Sequence, residues 1–304
     1  MKKVIVTGAT GFIGQHTLLP LKERGFDVHA ITSQRCTPKS DLYTWHSVDL
    51  FTPQAIENLF KKLQPTHLLH LAWYTEHGKF WTASENFSWI QASIELYKQF
   101  HLAGGQRVVS TGSCVEYDWS YGYCSETVTP TNPKNPYGIC KLALSQLTES
   151  YCQLHNISHA WARIFFLYGE QEPPTRLVSS VIRALLSQQV AKCSQGEQIR
   201  DFLHVQDVAN ALVTLLDSDL TGTINIGSGQ PTTIKTIVTM IADKIGVQEL
   251  LALGTLPLQP NESPLILADV TRLKNELHWQ PEYDLNSGLE RTINWWSQHL
   301  EINN

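Results

Sequence analysis

A short β-branched run, Val4-Ile5-Val6, followed at once by Thr7-Gly8-Ala9-Thr10-Gly11-Phe12-Ile13-Gly14, constrains this chain more than any other stretch. An uninterrupted apolar run of this length reads as a strand buried on both faces, as in the interior of a parallel sheet. The three glycines let the chain turn sharply, and the apolar residues from Phe12 to Leu21 suit a helix that starts at the turn. Such a helix start offers unpaired N–H groups and a partial positive charge, a place for a diphosphate. Glycine-rich strand-to-helix turns also occur without a ligand, so the spacing alone leaves both readings open.

The pattern that follows repeats this unit. Residues 26–31, 46–49, 66–72 and 107–110 read as strands; residues 53–63, with Ile56, Leu59, Phe60 and Leu63 on one face, and 83–102 read as helices. Alternation at this pace predicts right-handed βαβ units and hence an α/β fold, a doubly wound parallel sheet of Rossmann type. Ligands of such sheets bind beyond the carboxyl ends of the strands. Those ends carry the polar clusters 7–14, 32–35, 72–73 and 110–113. A loop rich in Tyr, Ser, Thr and Pro spans 117–136, a helix 137–155 and a strand 160–166. The pattern becomes mixed near residue 168. This predicts a dinucleotide-binding domain over 1–167 and a smaller mixed α/β substrate domain over 168–304, with segments near 203–226 returning to the first.

A hydrophobic content of 42% with 17% charged residues is that of a globular chain. A net charge of −5 without any Lys/Arg block argues against nucleic acid or an anionic membrane as partner. No apolar run approaches membrane-spanning length and no signal-peptide pattern precedes the first strand, so a cytoplasmic protein is expected. The six cysteines are scattered without a C-x-x-C pair and the histidines lack metal-site spacing, so neither a metal nor a disulfide framework is expected.

Tyr137 and Lys141 stand four residues apart, on one face of the helix over 137–155. A phenol titrates near about 10, and a neighbouring ammonium favours the phenolate, so Tyr137 is a candidate acid or base. A hydroxyl at the end of the strand over 107–110, Ser113 or Thr111, could hold a carbonyl oxygen beside it. A solvated helix face is the plainer reading of Tyr-x-x-x-Lys taken alone.

Taken together, the glycine-rich turn, His70-Leu71-Ala72, Tyr137-Gly138-Ile139-Cys140-Lys141, the run from Arg200 to Val208 and Asn225-Ile226-Gly227-Ser228-Gly229 resemble the extended short-chain dehydrogenase/reductase family, in particular its nucleotide-sugar epimerases, dehydratases and reductases. The resemblance covers nearly the whole chain. It implies Tyr137 as acid/base, Lys141 as ligand of the nicotinamide ribose, and Ser113 as third catalytic residue, with Thr111 as fallback because Glu116-Tyr117-Asp118 departs from the family's Val-Tyr-Gly. It implies cofactor contacts from Gly8, Thr10, Gly11, Phe12, Ile13, Gly14, Asp49, Leu50, Leu71, Ala72, Trp73, Ser110, Thr111 and Phe165. A nucleotide-diphosphate sugar would be held by Ser113, Cys114, Arg176 and Arg200. For Arg200 the alternative is a salt bridge to Asp201 or Asp207; for Phe165 and Phe166 it is core packing. The family also implies a homodimer through the helices over 83–102 and 137–155.

Where NAD-specific enzymes place a carboxylate after the second strand, this chain has Thr32-Ser33 and then Arg35. Hydroxyls and a guanidinium accept a 2′-phosphate that a carboxylate repels. NADP(H) is expected, with NAD(H) as the alternative. The family's dehydratases carry an Asp-Glu pair after the catalytic hydroxyl; Cys114-Val115 stand there instead, and Glu116 falls one place late. The expected reaction is hydride transfer to the C4 carbonyl of a 4-keto-6-deoxy sugar nucleotide. Epimerisation is the alternative, with Cys114 as either an acid/base or an inert thiol, and elimination a weaker one. A dinucleotide-binding sensor without turnover would be expected to lack Tyr137 and Lys141.

Overall fold

A computed structural model describes residues 2–34, 42–257 and 262–300. In chain order the first half comprises β1 (Lys3–Thr7), α1 (Gly14–Glu23), β2 (Asp27–Thr32), β3 (Thr44–Ser47), α2 (Pro53–Leu63), β4 (His67–His70), α3 (Glu85–Leu102), β5 (Arg107–Ser113), β6 (Tyr123–Cys124) and α4 (Pro136–Leu154). There follow β7 (Ser158–Ile164), β8 (Phe166–Tyr168), α5 (Leu177–Leu186), β9 (Ala191–Lys192), β10 (Ile199–His204), α6 (Val205–Leu216), β11 (Gly222–Ile226), β12 (Pro231–Thr233), α7 (Ile234–Ile245), β13 (Leu251–Ala252), β14 (Leu265–Ala268), α8 (Thr271–Asn275) and α9 (Leu285–His299).

Seven strands form one sheet in the order β11-β7-β5-β4-β1-β2-β3, every neighbouring pair parallel. The β-branched run lies at its centre, with Val4, Ile5 and Val6 all 0% exposed, as burial on both faces requires. From β1 the chain lays β2 and β3 on one side and β4 on the other. The order therefore reverses between β1 and β4, and a crevice opens beyond their carboxyl ends. A buried polar chain locks that point. Thr7 Oγ1 accepts the N–H groups of Leu71 and Ala72, both at 3.2 Å, so its proton goes to His70 Nδ1 at 2.7 Å. That leaves His70 Nε2–H to donate to Ser93 on α3 at 2.8 Å. Burial depresses His70 to about 3, so the ring stays neutral and this tautomer persists.

The remaining strands form a second sheet, β12-β10-β14-β6, with β8 beside β10, and a small β13-β9 pair. Asp201 on β10 is fully buried and accepts the N–H groups of Ser228, Gly229 and Ala268. It pins the loop after β11 against β14. Among the boundaries that differ from the sequence expectation, three border the second cavity. β5 continues to Ser113 because its end is tied to the following turn. The strand expected over 160–166 is divided into β7 and β8 at Phe165, whose N–H turns to Ile226 O. Helix α4 starts at Pro136, where a proline needs no N–H partner and the Asn135 side chain caps Gly138 N–H at 2.9 Å.

Candidate active site

Two cavities meet at the switch point. The first, of about 350 Å³, is lined by the turn from Gly8 to Gly14, by Thr32 and Ser33, by Asp49 and Leu50, and by Leu71, Ala72 and Trp73. Helix α1 begins beside it with Ile13 at its N-cap and no side-chain cap; the preceding turn takes the Gln15 and His16 N–H groups through Gly11 O and Ile13 O, so an anion here would meet the earlier N–H groups of the turn. Gly8 has φ +68°, and a Cβ there would stand 2.8 Å from Ala72 N, so only glycine lets β1 and β4 approach this closely. Asp49 Oδ1 is held by Phe51 N–H at 3.0 Å. Thr32 is buried, its hydroxyl accepting Gln34 N–H, whereas Ser33 is exposed. Arg35 lies outside the described residues.

The second cavity, of about 380 Å³, holds Thr111, Ser113, Cys114, Tyr137, Lys141, Phe165, Arg176 and Arg200. Arg176 and Trp73 line both cavities. The Nε of Arg176 is buried without a hydrogen-bond partner among the described residues, a donor placed to meet a bound anion. Ser110 lines neither cavity: its hydroxyl is buried and bonded to Tyr97 at 2.6 Å. Arg200 is paired with neither Asp201 nor Asp207. Its Nη2 donates to Glu262 at 2.8 Å, while Asp207 accepts the N–H groups of Glu282 and Tyr283.

Tyr137 sits at the start of α4 and lines the second cavity together with Ser113. Its own N–H donates to Trp81 O at 3.2 Å, and the rings of Phe80 and Trp81 meet it edge-on at 4.8 and 6.0 Å. Asn86, fully buried, fixes that aromatic loop by donating to Phe80 O and Ala83 O and accepting from Trp73 Nε1. Lys141 donates to Thr111 O at 2.8 Å and stands 3.9 Å above the Trp73 ring. Here the structure departs from the expectation that the ammonium acidifies the phenol. Burial pushes Tyr137 well above its ordinary value, with Glu116 and Cys114 adding to the rise and Ser113 and Arg176 opposing it. The phenol is therefore protonated at neutral pH, a proton donor at rest. Burial also lowers Lys141 to about 7, against the pull of Glu116. Cys114 is 4% exposed and its thiol is pushed up by burial, so it is no resting base.

Two carboxyl groups take places that the sequence reading did not assign. Glu116 faces inward rather than into the cavity: it is 0% exposed and paired with Arg163 at 2.7 Å. The signal for it was Ser113-x-x-Glu116, a capping-box spacing, and the reciprocal cap is formed. Glu172 lines the second cavity and accepts Ser179 N–H in the first turn of α5 at 2.9 Å. Burial raises it to about 8, against the pull of Arg176. The folded chain thus binds more protons here than the unfolded chain between about pH 4.5 and 8, and stability falls as pH rises through that window. Glu172→Gln is expected to raise the melting temperature above pH 8 by several degrees and to change it little at pH 4.5. Scanning fluorimetry at both pH values checks this; an equal shift at both counts against it.

Residues 4–227 match the NAD dependent epimerase/dehydratase family. The chain belongs to that family. As a member it is an NAD(P)-dependent oxidoreductase-type enzyme of the extended short-chain dehydrogenase/reductase kind. It is 27% identical to the CDP-abequose synthase of Salmonella typhimurium, covering 95% of this chain and 97% of the relative. It is 26% identical to the GDP-6-deoxy-D-mannose reductase of Pseudomonas aeruginosa, covering 98% of both. UDP-sugar 4-epimerases are among the other relatives, at 23–26% identity. The solved structure of MoeE5 with UDP-glucuronic acid and NAD superposes with a TM-score of 0.85, at 28% identity over 98% of this chain and all of that one. No helix among the described residues is long and apolar enough to cross a membrane.

Proposed function

We propose that this family member reduces the C4 carbonyl of a 4-keto-6-deoxy sugar nucleotide, with NADPH as hydride donor and Tyr137 as proton donor. The observation that carries the reading is the phenol itself: buried, kept protonated by that burial, and lining one cavity with Ser113 and Lys141. The glycine-rich turn and the uncapped start of α1 suit the cofactor diphosphate, and Asp49 with Leu50 suits the adenine end. Asp49 is the one acidic residue lining that cavity among the described residues, and Ser33 leaves the place of a repelling carboxylate open to a 2′-phosphate. When bound, the reduced nicotinamide supplies the hydride.

The chain's own residues do the rest. Ser113 donates a hydrogen bond to the carbonyl oxygen and Tyr137 transfers its proton there as negative charge develops. Lys141, beside Thr111 O and Trp73, adds a cation close to this pair when protonated. Arg176, and Arg200 on release from Glu262, hold the substrate diphosphate and orient the ring. Phe80 and Trp81 form an apolar wall beside Tyr137 that suits a deoxygenated sugar edge, because a hydroxyl facing those rings would lose its partners. Elimination is disfavoured: Cys114 and Val115 follow Ser113, and the Glu116 carboxylate faces Arg163.

Incubating the protein with 4-keto-6-deoxy sugar nucleotides is expected to oxidise NADPH in step with substrate loss, with NADPH binding at least about tenfold tighter than NADH. Isomer formation without net oxidation would establish epimerisation instead, the reading that the 4-epimerase relatives favour. Phe87, Ile94 and Leu102 on α3 and Ile139, Leu147 and Leu154 on α4 are exposed, at seven- or eight-residue spacing along two packed helices. This apolar face supports a homodimer. Sedimentation is expected to give a dimer for the unaltered chain and a monomer for Leu147→Glu; a monomeric unaltered chain refutes it.

A further inference from the structure

We propose that Glu116 is the positioning residue of Ser113, a buried carboxylate that fixes the serine's backbone and places a negative charge beneath the Ser113, Tyr137 and Lys141 group. The inference rests on the role given to Tyr137 above.

Glu116 Oε1 accepts the Ser113 N–H at 2.8 Å, and both carboxylate oxygens lie 3.1 Å from Trp161 Nε1. Oε2 accepts Arg163 Nε at 2.7 Å. In return the Ser113 hydroxyl accepts Val115 N–H at 3.4 Å, so serine and glutamate close one 3₁₀ turn over Cys114–Glu116. The chain leading into this turn is fixed as well. A Cβ on Gly112 would fall on both Glu116 Oε1 and Trp161 Nε1, so the residue before Ser113 has no freedom to carry a side chain. On its far side the Arg163 guanidinium lies 4.4 Å from the Tyr117 ring, and Tyr117 donates to Asn225 on β11 at 2.8 Å. The brace thus runs from the end of β5 through β7 to β11, and the direction of the Ser113 hydroxyl is set by the sheet rather than by a loop.

An apolar side chain at position 116 would fill the same space without meeting the Ser113 N–H or Arg163. A carboxylate meets both, and it adds charge. The titratable groups around it are Arg163 on β7, Tyr117 and Cys114 next to it in the chain, and Tyr137 and Lys141 on α4; Arg176 bears on Tyr137 from the other side. Glu116 raises the proton affinity of both Tyr137 and Lys141. A purely structural ion pair would share the geometry but not the effect on turnover.

Glu116→Leu alone would leave Arg163 buried and unpaired, so the double variant E116L/R163M, which also removes the acceptor of the Ser113 N–H, is the first test. Melting and circular dichroism should show it folded. KM for the sugar nucleotide should stay within about twofold while kcat falls about 10- to 100-fold. The apparent pKa values of kcat/KM should move to lower pH, because Glu116 raises both Tyr137 and Lys141. Adding Ser113→Ala should cost little further, since the serine would already be misdirected. A folded double variant with unaltered kcat and pH profile, or a Ser113→Ala cost that simply adds, overturns the proposal. If the double variant does not fold, Glu116→Asp keeps the charge and the partner of Arg163 but withdraws the carboxylate from Ser113 by one methylene. A lower kcat at unaltered KM is then expected, and a kcat equal to that of the unaltered chain overturns the proposal. Tyr137→Phe is measured alongside. If it retains turnover, the role of Tyr137 fails; if it is inactive while the Glu116 variants are unimpaired, only the positioning role fails.

Discussion

Tyr137→Phe is expected to lower the turnover of a 4-keto-6-deoxy sugar nucleotide by about 10²–10⁴-fold while cofactor affinity stays within about twofold. The substitution removes only the phenolic hydroxyl. The ring keeps its edge contacts with Phe80 and Trp81, and the backbone N–H keeps its bond to Trp81 O. The Ser113 hydroxyl keeps its bond from Val115 N–H, so stability should change by about 1 kcal/mol or less. Cofactor titration, thermal melting and the absorbance of reduced nicotinamide separate the three quantities. Turnover above a tenth of the unaltered rate would remove Tyr137 from the proton transfer.

A second large effect is expected from Gly14→Ala. The added methyl would overlap Gly8 O and press on Ala9 Cα at 2.8 Å, backbone atoms that cannot swing aside as a side-chain end can. The turn must open, which costs about 1–3 kcal/mol in overpacking. It also moves the N–H groups at the start of α1 away from the cofactor diphosphate. Cofactor affinity should fall by about 100-fold or more, equivalent to about 2.7 kcal/mol, readable by isothermal titration against the unaltered chain. Near-normal affinity in a stably folded Gly14→Ala protein would mean that the diphosphate lies elsewhere.

Much of the cofactor side was legible because its signals are local. The β-branched run, the glycine spacing and the helical periodicity over 53–63 each encode an element within a dozen residues, and α2 has the bounds that the periodicity gives. Tyr137 and Lys141 were legible for the same reason. What escaped depends on contacts across the sheet. Ser110 was expected among the cofactor contacts, yet its alternation along β5 turns its hydroxyl to Tyr97. The acidifying effect expected of Lys141 was lost to burial, which spacing on a helix does not reveal. Arg200 found its carboxylate at Glu262, sixty-two positions away, instead of at a neighbour in the chain. The strands outside the main sheet were the least legible part, since β6, β9, β12 and β13 have only two or three residues each, too few for a two-residue period to register.

The edge strand β11 is added to the main sheet only after the chain has passed through β8, α5, β9, β10 and α6. Until then β7 presents its open side, residues 160 to 164, which β11 later covers in parallel register from Gly222 to Ile226. A ribosome-bound chain therefore carries an unfinished sheet through the synthesis of nearly sixty further residues, and an unpaired strand edge is a template for other chains. The hazard of self-association is concentrated in biosynthesis rather than in the finished molecule. A fragment cut at the apparent boundary near residue 168 would carry that edge permanently, so the half from β1 to β7 prepared in isolation needs β11 restored to it.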